Sequence, residues 1–254
     1  MLDNRRREGV SLAGPTNVEQ QLRCRLTAAA PDDGAKMSEL VRRLCGRPSR
    51  VSRIALGRQS KNLQMDRPGR AAASEYLRRK GTEAPASKLL SGLRSTFQKF
   101  EQSIDPVPEA VRPRRPGATS WSVHEIVDHL VETHRPAVLE LRALCAGIPP
   151  SGGPIPARLT SVHPFERPWA ALVLELKDIH AKVLELVGDA GDATPIAAKA
   201  PFVMVVKVPG PSAPEVVEWV EALDWKAYAQ ALRIHTHEHC AQVERTVEAL
   251  LPKR

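Results

Sequence analysis

The chain has 254 residues, with 37 Lys+Arg against 29 Asp+Glu and a net charge of +8, a length suited to one large domain or two small ones. Its four cysteines, Cys24, Cys45, Cys145 and Cys240, show no CxxC spacing, which excludes a disulfide framework or a zinc-finger pattern and suits a reducing, cytoplasmic setting. No apolar run reaches the roughly 18 residues of a membrane span, so no membrane partner is expected. Arg5-Arg6-Arg7 is followed by Glu8 to Pro15 rather than by an apolar stretch, so no secretory signal is expected.

The positive charge is unevenly placed. Residues 1–81 hold 18 Lys+Arg and 8 Asp+Glu, whereas residues 82–254 hold 19 and 21. All eight histidines and nine of the ten aromatics lie after residue 81, Tyr76 being the exception. Residues 1–81 therefore read as a basic, aromatic-poor and largely disordered arm, and residues 82–254 as a slightly acidic globular domain. Within the arm, 37–45 and 71–80 could form short transient helices, but neither has a second apolar face to pack against. A nucleic-acid-contacting tail would gain from stacking aromatics, and these are absent. Nucleic acid is thus not an expected partner, and the arm reads as a solvated extension or as sequence ahead of a start at Met37 or Met65.

In chain order, apolar spacing predicts four helices. The first covers about 86–104, with Leu89, Leu93, Phe97, Phe100 and Ile104 on one face, closed by Asp105-Pro106. The second opens on Ser122-Val-His-Glu125, a capping-box pattern, and ends at Gly147. The third starts with Pro168 at its first position, carries Trp169, Leu172, Leu176, Ile179, Val183 and Leu186, and stops at Gly188. The last spans about 225–251. A Pro/Gly-rich stretch, 188–214, separates the last two, with one apolar run, Phe202 to Val206, that reads as a short strand or a lid; 214–223 reads as a further helical turn or two. The fold class expected is all-α: a four-helix bundle with a long crossover before the last helix. No Gly-rich phosphate loop or GxSxG elbow is present, which excludes those routes to nucleotide binding and serine hydrolysis.

The sharpest chemical signal is Arg233-Ile-His235-Thr-His237-Glu-His239 on the last helix. The inward stripe Trp225, Tyr228, Leu232 passes through positions 235 and 239 to Val243, so His235 and His239 point the same way, one turn apart, and can converge on one metal ion. His237 is about 200° round from His235 and should face outward. On the second helix, His124 sits beside the cap, while His129 and His134 are both candidates for a third ligand. They are about 140° apart, so both cannot easily serve one ion, and spacing leaves them nearly tied.

Trp121-Ser122-Val-His-Glu125-Ile-Val-Asp-His129-Leu130 resembles the second-helix signature of the DinB/YfiT-like superfamily, and His235-x-x-x-His239-x-x-Gln242 resembles that family's last-helix signature. Leu223-Asp224-Trp225 is similar to the approach to that helix in some members. The resemblance spans residues 86–251 and leaves out the arm. It implies a four-helix bundle with a three-histidine metal site, an open coordination position and a homodimer, and by position it implies His129, His235 and His239 as ligands. It further implies metal-dependent S-transferases, isomerases or hydrolases, some of which use a low-molecular-weight thiol. Cys240 departs from the family pattern after the last histidine and reads as a packing residue.

Three neutral imidazoles leave a divalent ion, zinc or nickel on ligand chemistry, with its full charge and an exchangeable position. Such a centre can activate a water or thiol against an electrophilic small-molecule substrate. Glu132 and Glu125 flank His129 at i+3 and i−4 as candidate bases, Glu125 with a competing capping role. Gln242, near His239, could hydrogen-bond a ligand; Glu132 and Gln242 are the two expected catalytic residues. His163 and His180 read as structural or exposed.

Overall fold

The computed structural model describes residues 68–208 and 215–251. The chain enters through α1 (Pro68–Leu77), which runs into a π-helical turn at Arg78–Thr82. Four long helices follow: α2 (Ala86–Ile104), α3 (Val123–Cys145), α4 (Trp169–Ala190) and α5 (Trp225–Leu250). Phe97 and Phe100 of α2, Ile126, Leu130 and Leu141 of α3, Leu172 and Leu176 of α4, and Trp225 and Tyr228 of α5 are fully buried between them. Each apolar stripe read from the sequence therefore faces the common core.

The all-α expectation is corrected by a β-hairpin between α4 and α5. Strands β1 (Ala200–Val208) and β2 (Glu215–Leu223) pair antiparallel, from Ala200 opposite Leu223 to Val208 opposite Glu215. The apolar run at Phe202–Val206 is thus a strand. The helical reading of 214–223 fails because Val216, Val217, Trp219 and Val220 are β-branched or aromatic. In the strand, Val217 and Leu223 turn inward while Glu218 and Val220 face out, the period of two that a half-buried strand requires.

The disordered-arm expectation is corrected from residue 68 onward; 1–67, including the predicted helix at 37–45 and the candidate starts Met37 and Met65, lie outside the described residues. Ala73 and Leu77 are buried, and Tyr76 packs beside them on the core. The second apolar face missing from the linear sequence is supplied in three dimensions by the hairpin and α5. At Gly81 the backbones nearly touch: a Cβ there would stand 2.6 Å from the Cα of Ala227. Gly81→Ala is expected to destabilise the fold by about 1–3 kcal/mol, since neither backbone can yield. A chemical-denaturation midpoint equal to that of the parent would show that the contact is not close.

Local signals set the helix ends. The Ser122 hydroxyl accepts from the Glu125 N–H at 3.2 Å, and the Glu125 carboxylate accepts from the Ser122 N–H at 2.9 Å, closing the box that starts α3. Arg115 also pairs with Glu125. Asp224 caps α5, accepting from the N–H groups of Lys226 and Ala227 at 2.9 and 3.0 Å. Helix α4 runs through Gly188 and stops instead at Gly191, whose φ of 63° is the left-handed conformation that glycine adopts cheaply. Pro168 lies one residue outside the helix as its cap. Among the described residues, no helix is long and apolar enough to cross a membrane.

Candidate metal centre

The buried faces of α3 and α5 bring His129, His235 and His239 together, with one ligand atom from each all within 4.8 Å of one another. The His235 Nε2 lies 3.1 Å from the His129 Nε2 and 3.0 Å from the His239 Nε2. Each ring is held from behind by its other nitrogen. His129 donates from Nδ1 to the Leu159 carbonyl at 2.7 Å. The His239 Nδ1 is 2.9 Å from the Gln242 Oε1, an acceptor. The His235 Nδ1 meets the His134 Nε2 at 3.1 Å.

These contacts fix the protonation pattern of His129 and His239, whose Nδ1 atoms face oxygen acceptors. A neutral imidazole with its hydrogen on Nδ1 has a bare lone pair on Nε2. Burial pushes His129 down to about 4, against the opposing pull of the Leu159 carbonyl and Asp128. Burial first, then neighbouring imidazoles, hold His235 and His239 well below their ordinary value. At neutral pH the Nε2 lone pairs of His129 and His239 therefore face the His235 Nε2, and a cation that draws the His235 hydrogen to Nδ1, toward His134, would gather all three lone pairs. Nitrogens bound tetrahedrally to zinc at 2.0–2.1 Å would stand roughly 3.3 Å apart, close to the spacing of His235 from its two neighbours. The residues present fit a divalent ion.

His134, nearly tied with His129 on spacing, is instead placed behind His235, fully buried. His237 turns from the cluster toward Lys99, Arg233 and Glu244. Cys240 is buried with its thiol 3.8 Å from Glu244. His163 is exposed. The indole of Trp121 lies 4.8 Å from the His129 ring and 6.2 Å from that of His239, closing one side.

Glu132 is not brought to the cluster. Its carboxylate pairs with Arg167 at 2.9 Å and Arg135 at 3.1 Å, and both arginines also pair with Glu175 of α4. Its position three residues beyond His129 takes it round the helix toward α4, which corrects its assignment as a base. Glu125 is taken up by the cap and Arg115. Gln242 meets the cluster as an acceptor that orients His239.

Two contributors were missed in the sequence. Asp128 is wholly buried, accepting from the Ser161 N–H at 2.8 Å and hydroxyl at 2.7 Å, with Arg167 at 3.3 Å. It anchors the loop that presents the Leu159 carbonyl to His129. Glu238 is buried and lines the same cavity as the three histidines. Its spacing from His235, i+3, was a usable signal, obscured because acidic residues on helices are usually solvated.

The cluster opens into a cavity of about 120 Å³. One wall is β1, from Pro201 to Val206; Ile155, Ala137, Ala231, Leu232 and Ile234 are among the apolar residues of the others. Phe202 stands edge-on to Tyr228 at 5.3 Å, and the Tyr228 hydroxyl donates to Glu140 at 2.6 Å. The lining is mainly apolar, with Thr133, His134, Arg158 and Glu238 as polar points beside the three clustered histidines.

No family model and no curated protein matches the chain. Among solved structures it is similar to YfiT from Bacillus subtilis, described as a probable metal-dependent hydrolase with an unusual four-helix bundle topology. The identity is 13%, over 64% of this chain and 86% of that chain, with a TM-score of 0.44. The candidate metal centre rests on this chain's own residues.

Proposed function

We propose that this protein is a metal-dependent enzyme in which His129, His235 and His239 hold a divalent cation, zinc or nickel, beside a cavity for a small, largely apolar electrophile. The observation that carries the reading is the convergence of three Nε2 atoms, each with its Nδ1 engaged, at one end of a cavity. A bound divalent ion would supply Lewis-acid activation of a water or a low-molecular-weight thiol. The chain's own groups do the rest. Gln242 and the Leu159 carbonyl hold two ligand rings in the ligating tautomer. The apolar wall of β1 excludes water from the reacting centre and selects an apolar substrate. Glu238, which lines the cavity with the three histidines, is the carboxylate assigned here to take a proton from the nucleophile.

Purified protein stripped with chelator and reloaded with zinc or nickel is expected to retain a single equivalent, and the His235→Ala/His239→Ala variant to retain none. Equal retention by both proteins would overturn the site. Turnover is then read with a small apolar activated ester and a haloaromatic electrophile, with and without added thiol. Metal-dependent product with thiol alone assigns transfer, and product without thiol assigns hydrolysis. Retention without turnover in any combination would sink the enzyme reading and leave a metal-binding module. Glu238→Gln should keep its metal and lose about 10²-fold or more in turnover.

A further inference from the structure

Behind the ligand set lies a second group of buried polar atoms that the proposed reaction does not use. His180 of α4 is buried, stacked on Phe97 with ring centroids 3.9 Å apart, and its Nδ1 is 2.7 Å from a carboxylate oxygen of Glu101 on α2. His134 of α3 is buried with its Nε2 on His235. Among the described residues only three buried side-chain nitrogens or oxygens lack a hydrogen-bond partner, and two of them are the His134 Nδ1 and the His180 Nε2. The two rings are neighbours, with centroids 6.1 Å apart.

The protons can be followed from both ends. A carboxylate only accepts, so the His180 Nδ1 carries hydrogen toward Glu101 and its Nε2 presents a lone pair. At the other end, an ion on the His235 Nε2 puts hydrogen on its Nδ1, which donates to the His134 Nε2. A neutral His134 must then carry its hydrogen on Nδ1. The two unpartnered atoms are thus a donor and an acceptor. Leaving both unsatisfied carries the desolvation penalty of two buried polar atoms, which a small ring rotation or one bridging water relieves.

We propose that Glu101, His180 and His134 form a directional hydrogen-bonded chain that runs from the surface of α2 to His235 and sets the strength of the metal centre. The chain rests on the metal-site reading above. Every link donates toward Glu101, so the negative charge of that carboxylate is felt at the His235 Nδ1–H and makes its Nε2 the stronger ligand. The three are positioning residues that act on the ion through His235. A partly exposed carboxylate on one helix thereby controls a ligand on another.

The test uses the full-length protein and zinc alone. Zinc affinity is measured by chelator competition at neutral pH for the parent, Glu101→Gln, His180→Leu and the His235→Ala/His239→Ala variant. Imidazole tautomers are read by long-range nitrogen–proton NMR on the zinc-loaded parent. Glu101→Gln alters a partly exposed side chain and keeps the fold if His180→Leu does not. Hydrogen on Nδ1 of both His134 and His180 is expected. Weakening of zinc by about 10-fold in either single variant is also expected, the low end for groups behind a ligand. Unchanged affinity in Glu101→Gln, or hydrogen on the Nε2 of either ring, overturns the chain while leaving the three-histidine site standing. Failure of the parent to bind zinc overturns both.

Discussion

Replacing Asp128 with alanine is expected to cost about 3 kcal/mol of folding stability, the low end for removing one partner of a buried ion pair. The carboxylate is wholly buried and answers three donors, two from Ser161 and one from Arg167. Arg167 keeps Glu132 and Glu175 in the variant, which holds the loss below the upper range. The Ser161 N–H has no such substitute. The loop carrying Leu159 would loosen, and with it the acceptor that fixes the His129 tautomer, so zinc retention should fall alongside stability. Urea denaturation of Asp128→Ala and Ser161→Ala, paired with zinc titration, checks both effects. An Asp128→Ala protein with parental stability and zinc affinity would show that the loop is held by other contacts.

The metal-free protein is expected to lose stability as the pH falls from about 6.5 toward 4, the window set by the ordinary histidine value and the depressed one of His129. The direction follows from proton counting. Within that window the unfolded chain takes up a proton on this imidazole while the folded chain refuses it, so protonation favours unfolding. The contribution is fully present above about 6.5, is lost as the pH falls through about 4, and amounts to roughly 3 kcal/mol for this ring. His134, His235 and His239 are also depressed by burial and act in the same direction. Urea midpoints measured at intervals from neutral pH to pH 4 test this, and a flat profile would mean that the cluster is open to water. Bound metal should defer the loss to lower pH, because ligation and protonation compete for the same lone pairs.

The helical part of the fold was legible because periodicity and caps are local. The stripe through Leu89, Leu93, Phe97 and Phe100 and the Ser122–Glu125 box needed no knowledge of their partners. The hairpin was harder. Glu215, Glu218 and Glu221 fall at helical intervals, and the pairing that makes this segment a strand comes from residues Ala200 to Val208. The helix at 68–77 was obscured for the same reason, since its partner face is assembled from elements far along the chain. At the site, the i,i+4 pair was readable from spacing alone, whereas the choice between His129 and His134 depended on which face of α3 meets α5. Spacing could not expose Asp128 or the Leu159 carbonyl, because a loop closes onto them across 30 residues or more.

The hairpin separates two properties that many sites tie together. The three converging histidines stand on α3 and α5, while a long side of the chamber is supplied by β1, an element that contributes none of them. Exchanges at Phe202 or Met204 can reshape the chamber while every imidazole keeps its place. For the proposed enzyme, substrate preference on this scaffold can therefore drift under selection without passing through an intermediate that has lost its reactive centre.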